Sequence, residues 1–101
     1  MSYRWSAVLM LAWIAWMHTE WWSKGLEEWS PLGGTESMEE CKSDALEITS
    51  NSIREFRRTQ KENTYTQIGS RIEATYRSGD RSSITFVCLP DTVDPRKPKE
   101  K

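Results

Sequence analysis

Cys41 and Cys88 are the only cysteines of the chain, and each falls on the apolar face of a different predicted element. Cys41 lies at the start of an amphipathic helix and Cys88 near the end of a strand. A bond between them ties helix to sheet, so the two elements must pack face to face. In the chain-entropy account a closed loop of this length adds about 4 kcal/mol. A bond of this kind belongs to an oxidising compartment. The other reading is a pair of reactive or metal-binding thiols, but two distant cysteines do not make a zinc site unaided.

The staple matters because the chain is short. Its 101 residues allow one small domain. A core of that size supplies only about 3–5 kcal/mol. The net charge of −1 gives no global pull towards nucleic acid, and no nucleic-acid partner is expected. The charge is uneven, however. Glu20, Glu27, Glu28, Glu36, Glu39, Glu40, Asp44 and Glu47 face only Lys24 and Lys42 over the same stretch, whereas the end is basic. Residues 96–101, with Pro98 among them, read as a solvated, disordered basic tail.

Arg4 precedes an apolar run at 7–17, AVLMLAWIAWM. A positive start followed by a short apolar stretch has the order of a signal peptide. The run is too short for an ordinary membrane span, which needs about 20 residues. Residues 1–12 are therefore predicted to be a signal peptide or apolar leader. Ala12 and Ala15 are the candidate last leader residues, each with a bulky residue two places before it. If the leader is not cleaved it anchors the protein to the membrane. Otherwise the product is periplasmic or extracellular. A cytosolic protein with an apolar first strand is the plainer alternative.

Residues 13–95 are read as one α+β domain. From 13 to 22 the sequence WIAWMHTEWW favours a strand. Its two alternate sets are each mixed, so the inward face is left open. Ser23, Lys24 and Gly25 break the strand, and residues 26–32 return as a second one. Pro31 marks that return as an edge strand or an irregular one, and Gly33 and Gly34 close it. Ser37 with Glu40 forms a capping box, with Thr35 as a rival cap. Met38, Cys41, Ala45, Ile48, Ser52 and Phe56 then recur at steps of three and four, with Ile53 beside them, which predicts a helix to about Arg57. Glu36, Glu39 and Glu40 at its start, and Arg54, Arg57, Arg58 and Lys61 at its end, suit the helix dipole. Residues 68–76 alternate apolar and polar and predict one strand, with Ser78, Gly79 and Asp80 as a turn. Ile84, Phe86 and Cys88 share a face on the next. The expected fold is an antiparallel sheet of about four strands, in the order ββαββ, with one long helix packed on one face.

The segment CLPDTVDPR, from Cys88 to Arg96, resembles the C-terminal signature of a group of small, exported, uncharacterised bacterial proteins. The tryptophans around Trp13 and Trp16, the segment at Trp29, and Glu39, Glu40 and Cys41 fall in matching order. The resemblance departs after Arg96, where Lys97-Pro98-Lys99 stands in place of Gly-Pro-Lys. It implies an exported protein whose leader ends near Ala12. It carries no activity.

No constellation for catalysis stands out. His18 is the only histidine, and no nucleophile pattern lies near it. His18 and Glu20 alternate on one strand face and offer two metal ligands, too few by themselves. No metal or other cofactor is expected. Asp91 and Asp94 are a pair of carboxylates that read as turn formers, or as acid and base beside Arg96. Six tryptophans all lie in the first 29 residues. Exposed tryptophan is enriched at interfaces and membrane surfaces. The sequence thus predicts a non-catalytic binding or structural protein of the cell envelope. Its expected interaction surface is Trp21, Trp22, Trp29, Asp91, Asp94 and Arg96, and its expected partner is a protein or a membrane surface. The alternative is a small ligand-binding or hydrolase-like domain using Asp91, Asp94 and Arg96.

Overall fold

The computed structural model describes residues 12–96, so the expected leader, apart from Ala12, and the tail beyond Arg96 lie outside the described residues. Five strands form one antiparallel sheet: β1 (Trp13–Trp21), β2 (Leu26–Thr35), β3 (Thr64–Ile68), β4 (Arg71–Thr75) and β5 (Arg81–Pro90). One helix, α1 (Met38–Thr59), lies between β2 and β3 in the chain. The sheet order is β2-β1-β5-β4-β3, which places the first and last strands side by side at its centre.

The fold class is the expected α+β, but the strand count is five rather than about four. The difference lies at residues 68–76, read from the sequence as one strand. Gly69 has φ 61° and turns the chain over, and Ile68 pairs with Arg71 across a two-residue turn. A left-handed φ is open to glycine without the steric cost of a side chain. A two-residue turn reverses the parity of the alternation: Tyr65 faces inward with Ile72 and Ala74, whereas Ile68, expected on the Ile72 face, pairs with Arg71 on the other side and is 56% exposed. β3 also recruits Tyr65, 7% exposed, into the core from a stretch the sequence presented as a connection.

β2 likewise runs past its predicted end. Gly33 and Gly34 pair with Ala15 and Ile14, and the register slips between Ala15 and Trp16, leaving Leu32 as an extra residue. The strand is an edge, as Pro31 requires. Between β1 and β2 the chain makes one 3-10 turn, Trp22–Lys24, ended by Gly25 at φ 65°.

Ser37 caps α1, accepting a hydrogen bond from the backbone N–H of Glu40 at 3.1 Å. Thr35 is not the cap; its hydroxyl donates to the Ser37 carbonyl. The buried stripe is Cys41, Ala45, Thr49 and Ile53, with Ile48 and Phe56 alongside. Met38 at the head of the predicted stripe is 39% exposed. Thr49 is tolerated in the core because its hydroxyl bonds back to the Ala45 carbonyl at 2.6 Å. Against this stripe the sheet presents Met17, Tyr65, Ile72, Ala74, Ile84, Phe86 and Cys88. Cys41 and Cys88 are bonded across 47 residues, with Cα atoms 6.1 Å apart.

The undecided face of β1 is thereby settled. Ala15 and Met17 pair with Cys88 and Phe86, so they share the helix side. Ile14, Trp16, His18 and Glu20 point to the opposite face.

Candidate functional site

The face of the sheet away from α1 carries the molecule's polar chemistry. On β1, His18 and Glu20 lie two residues apart on this face. On β2, Trp29 and Glu27 are their direct partners, and on β5 Thr85 and Ser83. The imidazole of His18 stacks on the Trp29 indole, with ring centres 4.0 Å apart and planes 17° from parallel. Its Nε2 lies 2.6 Å from Glu27 Oε1. Glu20 accepts a hydrogen bond from the Ser83 hydroxyl at 3.3 Å, and Ser83 is 1% exposed.

Beyond Glu20 the hairpin turns, and Trp22 emerges from the turn 40% exposed. Two guanidinium groups flank its ring. Arg81 lies 4.6 Å from the ring centre and Arg71 5.9 Å. Both arginines also approach Glu73, Arg71 at 3.2 Å and Arg81 at 3.9 Å. A shallow hollow of about 360 Å³ opens here, lined by Glu20, Trp21, Trp22, Gly25, Leu26 and Glu27. A second hollow of about 400 Å³ lies between α1 and β5, against Lys42, Leu46 and Phe86.

At the other end of β1, Trp13 pairs with Pro90, and the chain after β5 returns to the open face. The Asp91 N–H donates to the Ala12 carbonyl at 2.9 Å. Asp94 accepts two side-chain hydrogen bonds from Arg96, both at 3.0 Å. That hydrogen-bonded pair, with its charge attraction second, raises the Arg96 guanidinium above its ordinary pKa. Arg96 also lies 5.1 Å over the ring of Trp16. Trp16 is only 4% exposed, although it faces away from the helix. Its indole N–H is buried without a hydrogen-bond partner.

The residues singled out from the sequence therefore fall in two places. Trp21 and Trp22 stand at the turn end of the β1–β2 hairpin, Trp21 on the side of Ala15 and Met17, whereas Trp29 lies on the open face opposite His18. Asp91, Asp94 and Arg96 stand at the opposite end of β1, roughly 27 Å away at 3.4 Å per residue. Trp21 and Trp29 are half-buried, and Trp22 is exposed. The sequence reading missed Glu27 as a neighbour of His18 and Glu20, because cross-strand register decides that contact. It also missed Arg71 and Arg81 at Trp22. The alternation of 81–88 gave a signal for the latter, since it puts Arg81 on the face opposite Ile84 and Phe86.

No protein-family model matches this chain, and no curated protein or solved structure matches it.

Proposed function

We propose that the protein is a small exported binding protein of the cell envelope that acts without a catalytic step. It takes a protein partner with a basic surface at the turn end of the β1–β2 hairpin. The observation that carries this reading is the exposure of Trp22 (40%) and Leu26 (56%) around a hollow that Glu20 and Glu27 also line, with Trp21 and Gly25. An apolar centre with Glu20 and Glu27 on one side, and with Arg71 and Arg81 already engaged on the Trp22 ring and with Glu73, suits a partner that presents an apolar or aromatic side chain beside lysines or arginines facing the two glutamates. The same acids oppose an anionic lipid surface. Export is supported by the Cys41–Cys88 bond, which is at home in oxidising compartments.

A ligand-binding or hydrolase-like role for Asp91, Asp94 and Arg96 has less support. Asp94 and Arg96 already satisfy each other in a two-bonded pair, whereas paired catalytic carboxylates must remain available to substrate.

Crosslinking of the immobilised protein in a native envelope extract tests the reading. Wild type should retain a protein that Trp22→Ala loses, at a cost of about 2 kcal/mol in affinity. Raised salt should weaken the capture, and Asp91→Asn should leave it intact. Equal capture by Trp22→Ala, or binding to anionic vesicles in place of a protein, would overturn it.

A further inference from the structure

His18, Glu20 and Glu27 bring one nitrogen and two oxygen donors within 4.8 Å of one another. We propose that these three side chains form a binding site for a divalent transition-metal cation, with Zn²⁺ as the representative ion. The inference does not depend on the partner-binding reading, although the two share Glu20 and Glu27, and it is tested by metal binding alone.

Three observations meet here. First, the donor set suits the ion: imidazole nitrogen and carboxylate oxygen are both ordinary zinc ligands. Tetrahedral bonds of about 2.0–2.1 Å place ligand atoms about 3.3 Å apart. His18 Nε2 and Glu27 Oε1, now 2.6 Å apart, need to separate only slightly. The donor atoms lie within 4.8 Å of one another, so the wider separations must close, and Glu27, with its side chain 61% exposed, has room to move.

Second, Glu20 and Glu27 are direct cross-strand partners. Like charges opposite each other on paired strands are destabilising. Among the described residues, His18 bonds Glu27 and not Glu20, and Glu20 receives a neutral hydroxyl from Ser83. A cation between the two carboxylates would relieve the repulsion.

Third, the ligands are held from behind. Trp29 fixes the plane of the His18 ring, and nearly fully buried Ser83 orients Glu20. Outer groups of this kind commonly hold metal ligands in place. Three protein ligands leave a fourth position, which the hollow beside Glu20 and Glu27 makes reachable by water or by a partner's side chain.

The competing account is a surface His18–Glu27 hydrogen bond with no ion. The two accounts part at Glu20, which a simple pair does not need. Calorimetric titration of the oxidised, chelator-stripped full chain with Zn²⁺ decides between them. The expected result is saturable binding of one ion per chain. Glu20→Gln, Glu27→Gln and His18→Ala should each weaken it at least about tenfold, since even outer-shell changes cost that much at metal sites. Glu28→Gln, the neighbouring acid on the other side of β2, should bind as wild type does. If His18→Ala fails to fold, the two glutamines decide the question. No saturable binding at millimolar Zn²⁺, or undiminished binding by Glu20→Gln, would overturn the proposal.

Discussion

On the helix side of the sheet, Phe86, Ile72 and Ala74 are buried under the stripe of α1, and each touches several neighbours at once. On the other side, His18 is held by one stack and one hydrogen bond, and Trp22 by two guanidinium groups. The first face is a collective structure in which a lost side chain leaves a cavity. The second is a set of pairwise contacts, each worth about 1 kcal/mol or less when exposed. One face of the same five strands thus supplies stability, and the other is free to carry recognition.

The sharpest way to break this division is to remove the bond that clamps the stable face. Reduction, or paired replacement of Cys41 and Cys88 by serine, should cost about 4 kcal/mol from the 47-residue loop alone. For a domain with a core this small, that is most of its stability. Denaturant titration with and without reductant measures it, and the oxidised and reduced chains should differ in intact mass by two hydrogen atoms. Two freely alkylated thiols in the unreduced protein would contradict the bond and remove the support it lends to export.

Next in size is Phe86→Ala, at about 3–4 kcal/mol for an emptied core site. Phe86 sits on the central strand, directly opposite Met17, so neighbouring strands restrict relaxation. The shift of the unfolding midpoint reports it. A loss below about 1 kcal/mol would mean that the helix face is not the collective core described above.

The two faces also differed in how far the sequence disclosed them. The helix face was legible. The steps Cys41, Ala45, Ile48 and Ile53 and the alternation Ile84, Phe86, Cys88 follow from burial, which repeats with the period of the element. The hidden turn at Gly69 was the main failure: Ile68 and Ser70 happen to continue the alternation of Ile72 and Ala74 in the sequence, although the turn puts Ile68 on the opposite face with Arg71. The open face was barely legible. His18 and Glu20 share it by simple alternation on one strand, but Glu27 joins them only through the register of β1 on β2. That register includes a slip near Ala15 which no local pattern announces. Trp16 is a separate case. It lies on the polar face yet is buried, with Arg96 from the segment after β5 over its ring.

That exception gives the smallest and most specific test. Trp16 is as buried as Phe86, at 4% each, but it lies on the face away from α1, with the Arg96 guanidinium over its ring. Asp94 holds that guanidinium in place with two hydrogen bonds. Arg96→Ala should therefore open Trp16 to solvent without loosening the core. Hydrogen exchange separates the two effects. The Trp16 indole N–H should exchange faster, while the amides of Ile72 and Phe86 keep their protection. Asp94→Asn should act in the same direction and less strongly, since Arg96 loses an ionic partner but keeps its place in the chain. A loss of global stability approaching that of Phe86→Ala would make Trp16 part of the collective core and erase the distinction between the faces. Unchanged exchange at Trp16 would show that its cover comes from the strands themselves, not from the returning segment.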